Sequence, residues 1–129
     1  MRLLLDTQVV LWAMVSPQRL PLTLTNQLEE GDTEVYVSVA SCWEIAIKYA
    51  LGKLALPDEP AVYLPPQFIR HGMVPLPVGL THALAVGAMP PHHNDPFDRL
   101  IIAQATIETL HTVTSDRKFV PYGIPLTLI

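Results

Sequence analysis

The residues best suited to chemistry in this sequence are four acidic side chains, Asp6, Glu44, Asp98 and Asp116. Asp6, Glu44 and Asp116 each come after a predicted strand, and Asp98 stands at the start of a helix leading into the last of those strands. In an open parallel sheet, ligands bind beyond the carboxyl ends of the strands. We therefore expect all four carboxylates to converge at one edge of the sheet.

Four carboxylates at one place need a compensating charge. Two carboxylates about 4 Å apart repel by about 4 kcal/mol at an effective dielectric constant of about 20, so the group needs protons or a hard cation. Oxygen ligands without a set of Cys or His residues favour Mg²⁺ or Mn²⁺ over Zn²⁺. An ion of this kind that keeps several waters suits phosphate chemistry.

Each acid also has a simpler structural interpretation. Asp6 suits the N-cap of a helix that follows a strand. The segment 41–44, Ser-Cys-Trp-Glu, matches the S-x-x-E capping box, in which the glutamate reaches back to a backbone N–H. Glu44 alternatively pairs with Lys48 one turn further on, and Asp116 suits a turn or a cap. The conjunction of the acids, rather than any one of them, favours a metal site.

The segment Asn94–Arg99 begins the long late helix. Asp95 at the N-cap, Pro96 at the first helical position and Asp98 at the third make a good helix start. Two acids within four residues exceed what capping needs. We therefore assign Asp95 to capping and Asp98 to the cleft.

Other polar and aromatic residues carry weaker assignments. Hydroxyl groups beside the acids are expected to orient them or to cap helices: Thr7, Ser38, Ser41, Thr114 and Ser115. Basic residues that are candidates to contact phosphate, with surface pairing as the simpler alternative, are Lys48, Arg99, Arg117 and Lys118. His92 and His93 are interpreted as solvated loop residues. Trp12 and Trp43 are interpreted as core residues, and Cys42 is expected to be buried.

The elements that must position these residues alternate between strands and helices. Arg2–Leu5 is a short apolar run before an acid and predicts a buried strand. Further strands are predicted over 35–37, 74–76, 112–114 and 126–129. Helices are predicted over 9–15, 21–30, 38–51, 81–86 and 98–110, and the proline-rich stretch 56–70 is interpreted as a loop with a short helix. The alternation predicts a single α/β domain over 1–129, with a mostly parallel central sheet of about four or five strands flanked by helices.

Composition sets the remaining bounds. Half of the 129 residues are hydrophobic and 16% are charged, which argues against disorder. A net charge of −4 argues against a basic nucleic-acid-binding surface, although bound cations can reverse the sign of an acidic cleft. The single cysteine and the lack of an apolar run of about 18 residues favour a cytoplasmic protein that neither enters nor spans a membrane. The mean hydropathy of +0.31 fits a buried parallel sheet, a surface covered by a partner, or both.

With these motifs in hand, the sequence resembles the PIN-domain family, and in particular the VapC-type toxins of bacterial toxin–antitoxin pairs. The residues that carry the resemblance are Leu3–Thr7, Ser41–Ile45, His93–Ala105 and Thr114–Asp116. They span nearly the whole chain in the family's order and spacing. The run Asp95–Arg99 is the most specific of them.

The resemblance implies an endoribonuclease that depends on Mg²⁺ or Mn²⁺. Asp6, Glu44, Asp98 and Asp116 match the family's acidic quartet, and Asp95 is an extra acid found in one subgroup. The resemblance also implies an RNA substrate, a homodimer, and an antitoxin protein that fills the cleft.

On this hypothesis the acids hold one or two divalent ions, with Asp6 and Asp98 as direct ligands. Glu44 and Asp116 complete the site directly or through water. A metal-bound water attacks the phosphodiester in line and leaves a 5′-phosphate, whereas 2′,3′-cyclic phosphate ends would contradict this route.

Three rival interpretations remain. A phosphoaspartate hydrolase with Asp6 as nucleophile normally needs a second acid two residues on, where this chain has Gln8. A receiver-like signalling module needs an acidic pair near the first strand and a late lysine after a strand, and neither is clear here. A catalytically silent PIN-like module that acts by sequestering protein or RNA is the non-enzymatic alternative.

Overall fold

The computed structural model describes residues 1–129 and is built on a sheet of five parallel strands. The strands are β1 (Arg2–Leu5), β2 (Glu34–Ser38), β3 (Met73–Leu76), β4 (His111–Thr114) and β5 (Leu126–Leu128). Their order across the sheet is β3-β2-β1-β4-β5, and every neighbouring pair is parallel. The apolar run that predicts β1 is explained by its central place, because Leu3, Leu4 and Leu5 are fully buried.

Six α-helices cover the sheet. They are α1 (Thr7–Val15), α2 (Leu22–Glu29), α3 (Val39–Ala50), α4 (Pro60–His71), α5 (Leu80–Ala85) and α6 (Pro96–Glu108). Short 3₁₀ turns occupy Pro17–Arg19, Val86–Ala88 and Arg117–Tyr122. The predicted fold class is confirmed. No helix is long and apolar enough to cross a membrane.

Each face of the sheet has its own apolar core. Leu3 and Leu5 pack on one side with residues of α1, α3 and α4, including Val9 and Ile45. Leu4 points to the other side and packs with Ile101 and Phe119. The alternation of side chains along β1 therefore divides the helices between two layers.

The largest difference from the sequence prediction is α4. The stretch 56–70 was expected to be a loop with a short helix, but α4 runs for 12 residues and contains Pro65 and Pro66. An interior proline costs about 3 kcal/mol because it removes a backbone hydrogen bond. Leu64 and Phe68 are both buried at helical spacing, and each such side chain contributes about 1.5–3 kcal/mol. Burial of the inner face offsets much of the cost that the prolines impose.

Candidate active site

Asp6 stands at the carboxyl end of β1, where the chain turns into α1. Its backbone N–H donates to Val113 O at 3.0 Å. Its Oδ1 accepts from the backbone N–H of Val9 at 2.9 Å, so Asp6 is also the N-cap of α1. Its Oδ2 accepts from the hydroxyl of Thr114. Both oxygens of this buried carboxyl group are therefore held in place.

Asp116 follows the carboxyl end of β4 and is tied to the same threonine. Its backbone N–H donates to Thr114 Oγ1 at 3.0 Å, and its Oδ1 accepts from the backbone N–H of Lys118 at 2.9 Å. The hydroxyl of Thr114 thus links the two acids that follow neighbouring strands.

Glu44 lies on the second turn of α3, after β2. Its Oε2 accepts from Lys48 Nζ at 2.7 Å, which is the alternative pairing considered above. The capping-box interpretation is wrong, because Ser38 caps α3 by accepting from Ala40 N. Ser41 instead lies inside the helix and accepts a hydrogen bond from Thr7 Oγ1 at 2.8 Å. The second oxygen of Glu44, Oε1, is buried and has no hydrogen-bond partner.

Asp98 lies in the first turn of α6. Asp95 caps that helix, as predicted, because its Oδ1 accepts from Phe97 N at 2.9 Å and from Asp98 N at 3.1 Å. This cap leaves the Asp98 carboxyl free to face the cleft, where its side chain is 17% exposed.

The four acids share one cleft of about 400 Å³ at the carboxyl edge of the sheet. The other residues that line it are Thr7, Gln8, Leu11, Ile45, Lys48, Leu54, Asp95 and Ser115. The convergence predicted from strand order is therefore present. Lys48 is the one cationic side chain of this lining.

Burial and mutual repulsion disturb the carboxyl groups. Burial, followed by the charges of Asp95, Glu44, Asp6 and Asp116, raises the pKa of Asp98 to about 7. Burial also raises the pKa of Asp6, although its hydrogen bonds from Thr114 and Val9 act in the opposite direction. The hydrogen bond to Glu44 raises the pKa of Lys48. The cleft thus holds more negative charge than its own groups neutralise.

The donor set of the cleft fits a hard divalent cation. The carboxylates supply only oxygen ligands, and the orphaned Oε1 of Glu44 is a buried acceptor without a donor. No three of the His, Cys, Asp or Glu side chains are already arranged around one point as metal ligands. Binding an ion would therefore require side chains of the cleft to move.

Comparison with known proteins decides the family. The PIN domain family model matches residues 3–123. The chain belongs to the PIN-domain family. Over 55 residues the chain is 48% identical to Ribonuclease VapC16 of Mycobacterium tuberculosis. This match covers 43% of this chain and 39% of that protein. The match thus spans about two fifths of that relative's length.

Solved structures with the same fold include chains from two VapBC complexes. One is the crystal structure of VapBC2 from Rickettsia felis bound to a DNA fragment from the VapBC2 promoter. It matches with a TM-score of 0.75 and 18% identity, and the match covers 99% of this chain and 98% of that chain. DNA-bound VapBC from Salmonella typhimurium matches with a TM-score of 0.72 and 19% identity over 98% and 97%. At these identities the likeness shows the fold alone.

Arg99 of this PIN domain does not line the cleft. Its Nη1 donates to Pro90 O at 2.9 Å and to the hydroxyl of Tyr122 at 3.0 Å, and its Nη2 donates to Val86 O at 3.1 Å. The guanidinium therefore holds the segment before α6 in place. Of the basic candidates for phosphate contact, Lys48 lines the cleft and Arg117 and Lys118 are exposed, whereas the guanidinium of Arg99 is engaged outside the cleft.

His93 is the residue near the site that the sequence analysis misjudged most. It was expected to be solvated, but its side chain is 6% exposed and its Nε2 lies 3.5 Å from Oδ2 of Asp98. Burial lowers its pKa. Its hydroxyl partner, Tyr122, is 29 residues away, so no local pattern identified the pair. The neighbouring His92 is exposed, as expected.

Trp43 was expected in the core, but it is 60% exposed. It packs edge-on against Phe97 at a centroid distance of 5.2 Å. The inner face of α3 is formed instead by Ala40, Ser41, Glu44 and Ile45. Because Ser41 and Glu44 on that face are polar, the apolar periodicity of α3 marks its outer side. Trp12 does pack against the core, and Cys42 is half-buried rather than buried.

Proposed function

We propose that this PIN domain is a divalent-metal-dependent endoribonuclease and the toxin component of a toxin–antitoxin pair. The observation that carries the proposal is the convergence of Asp6, Glu44, Asp98 and Asp116 in one cleft beyond the strand ends. The similarity to a protein named Ribonuclease VapC16 supports RNA as the substrate.

Asp6 and Asp98 are the proposed direct ligands of Mg²⁺ or Mn²⁺, and Glu44 and Asp116 complete the site directly or through water. The ion, when bound, would acidify a coordinated water and neutralise charge on the phosphate. The chain's own contribution is to hold the ligands. Thr114 fixes Asp6 by a hydrogen bond, and the Val9 amide orients the same carboxyl group from the other side.

The chemistry of the products separates two routes of cleavage. Attack by water on the phosphodiester leaves a 5′-phosphate and a 3′-hydroxyl. Attack by the RNA 2′-hydroxyl leaves a 2′,3′-cyclic phosphate, and this route needs a general base beside the ribose. The carboxylate-lined cleft supports the water route, and the ends of the cleaved RNA test it.

The central test compares Asp98→Asn with Asp32→Asn, which makes the same change at an exposed turn outside the cleft. We expect Asp98→Asn to lose at least about 100-fold of Mn²⁺-dependent RNA cleavage, because one charged ligand is removed. Asp32→Asn should cleave like the native protein. A folded Asp98→Asn variant that still cleaves RNA would count against the proposal.

The ion pair between Lys48 and Glu44 favours a second candidate. Lys48 occupies one carboxylate oxygen of Glu44 and so reduces the capacity of Glu44 to bind metal. A catalytically silent binding module would tolerate this loss. Such a module would act by sequestering RNA or protein. Growth inhibition by Asp98→Asn that equals inhibition by the native protein would favour this alternative.

We also propose that the chain forms a homodimer. The apolar stripe of α3, defined as Val39, Trp43 and Ile47, is 36–60% exposed. A monomer gains little from exposing such a stripe, whereas a symmetric contact would bury it. Light scattering on Trp43→Ser, with Leu22→Ser on the exposed side of α2 as the matched control, tests this assignment.

The proposed protein partner is a cognate antitoxin. Similarity to chains from VapBC complexes supports it. An almost entirely apolar groove of about 550 Å³ between α3 and α4 suits an amphipathic helix. Co-purification with the product of an adjacent small reading frame, and loss of RNA cleavage in that complex, would support the pairing.

A further inference from the structure

A connected set of side chains lies directly behind Asp98. The Arg99 guanidinium donates to the Tyr122 hydroxyl at 3.0 Å, and that hydroxyl lies 2.7 Å from Nδ1 of His93. The other ring nitrogen of His93, Nε2, faces Oδ2 of Asp98 at 3.5 Å. This nitrogen is shielded from solvent and has no hydrogen-bond partner within normal geometry.

Counting donors and acceptors assigns the proton on His93. The Tyr122 oxygen accepts from Arg99 Nη1, and it also accepts from the backbone N–H of His93 at 3.3 Å. A phenol oxygen has two lone pairs and one hydrogen. Its remaining capacity is the O–H, which must therefore donate to Nδ1 of His93. A ring nitrogen that accepts carries no proton, so the neutral ring is protonated on Nε2.

The anchor of this arrangement is rigid. Besides Tyr122, Arg99 donates to backbone carbonyl groups of the segment before α6, including Pro90 at 2.9 Å and Val86 at 3.1 Å. The ring of His93 also packs against Phe119, which is fully buried. The direction of the Nε2–H bond is thus fixed by contacts that do not involve the acids.

We infer that His93 is a positioning residue, which donates from Nε2 to Oδ2 of Asp98 and so leaves the other carboxyl oxygen to face the cleft. That this orientation serves metal binding rests on the proposed function. A buried N–H without an acceptor costs about 1–3 kcal/mol, and Oδ2 is the acceptor that it faces. The Nε2–Oδ2 distance of 3.5 Å is only about 0.5 Å longer than a usual N–H···O hydrogen bond.

Carboxylates that bind metal are commonly held by such hydrogen bonds, and loss of one costs about 10–100-fold in metal affinity or activity. His93 would prevent Asp98 from turning towards Asp95, the acid whose charge affects it most. Tyr122 acts on Asp98 only through its hydrogen bond to the ring of His93, and Arg99 acts only through its hydrogen bond to Tyr122.

Three variants separate positioning from packing. His93→Gln can place an amide N–H near the position of Nε2, whereas His93→Asn reaches only the position of Nδ1 and cannot donate to Asp98. Tyr122→Phe keeps the aromatic ring and removes the O–H that fixes the tautomer. His92→Asn changes the adjacent exposed histidine, whose ring packs edge-on against Tyr122 at a centroid distance of 4.8 Å, and so is the matched control for loss of packing alone.

The first measurement is the ring ¹⁵N NMR spectrum of the metal-free protein, which reports the tautomer without RNA or metal. We expect a protonated Nε2 and an unprotonated Nδ1 in the native protein, and a mixture of tautomers in Tyr122→Phe. A native ring protonated on Nδ1 would overturn the inference.

The second measurement is Mn²⁺ affinity by calorimetry, with circular dichroism to check folding. We expect about 10–100-fold weaker binding for His93→Asn and a change below about threefold for His93→Gln and His92→Asn. Unchanged affinity in a folded His93→Asn, or equal loss in both His93 variants, would overturn the inference. A native protein that binds Mn²⁺ but does not cleave RNA would count against the proposed function alone.

Discussion

The two halves of the cleft are built differently. Around Asp6 and Asp116, backbone N–H groups and the Thr114 hydroxyl donate to both carboxylate oxygens of Asp6 and to one of Asp116. Around Glu44 and Asp98, one oxygen is orphaned and the His93 contact is still 3.5 Å long. The first half follows adjacent central strands, whereas the second rests on helices α3 and α6. The sheet therefore supplies two acids whose carboxylates are held by hydrogen bonds from neighbouring groups, and the helices supply two acids that are held by fewer hydrogen bonds.

The largest effect that would sharpen this comparison is the pH dependence of the metal-free protein. In the unfolded chain Asp98 ionises near 3.8, whereas in the folded cleft it keeps its proton until about pH 7. Between these values the folded state binds more protons, so the free energy of unfolding falls as the pH rises. A shift of this size corresponds to about 2–4 kcal/mol after allowance for partial exposure.

Thermal unfolding in EDTA at pH 5 and pH 8 measures this effect. Because about two thirds of the shift lies above pH 5, we expect a Tm roughly 3–10 °C lower at pH 8, and a larger gain from Mn²⁺ at pH 8 than at pH 5. In Asp98→Asn the pH dependence should be much smaller. A native Tm that does not change between pH 5 and pH 8 would show that the pKa of Asp98 is not raised in the folded protein.

An intermediate effect is expected in the half built on the sheet. Thr114→Val keeps the shape of the side chain and removes the hydroxyl between Asp6 and Asp116. We expect a loss of about 1–3 kcal/mol in the free energy of unfolding, because a buried carboxylate oxygen and an N–H lose their partner. RNA cleavage should fall by about tenfold as the two acids loosen.

The same strand provides a matched control for this change. Thr112 is fully buried and its hydroxyl has no partner. Thr112→Val should therefore be neutral or stabilising in denaturant unfolding. Equal losses in Thr112→Val and Thr114→Val would mean that packing, and not the link between the acids, explains the result.

The smallest effect should come from Lys48→Gln. The pair with Glu44 is half-exposed on the lysine side, so its contribution to stability should be below about 1 kcal/mol. Removing it frees Oε2 of Glu44 and makes the cleft more negative. We expect Mn²⁺ to bind a few-fold more tightly by calorimetry, and a weaker affinity would show that Lys48 helps to shape the site.

The difference between the halves also explains what the sequence could predict. Asp6 directly follows the apolar run of β1, and Asp116 comes two residues after the β-branched run of β4. A strand followed by an acid is a local pattern that the sequence shows. The Asp95 cap could be read in the same way, because it depends on three neighbouring residues. The parallel sheet and its helices followed from the alternation of apolar segments.

The features that failed depend on distant residues or on function. His93 is buried by Tyr122 and Phe119, which come more than 20 residues later. The inner face of α3 was assigned wrongly because Ser41 and Glu44 are buried although they are polar. For α4, Pro65 and Pro66 led the sequence interpretation to a loop. The segment is nevertheless helical, because Leu64 and Phe68 lie on one face and are buried.

The hydrogen bond between Thr114 and Asp6 joins residues 108 positions apart. During translation at about 5–20 residues per second, Asp6 is made roughly 5–20 s before its partner. Until β4 has left the ribosome and paired with β1, the cleft lacks Asp116 and the sheet lacks one of the two strands beside β1. On the proposed function, a ribosome-bound nascent chain would be harmless to RNA for most of its synthesis, which gives a partner time to bind before the nuclease is complete.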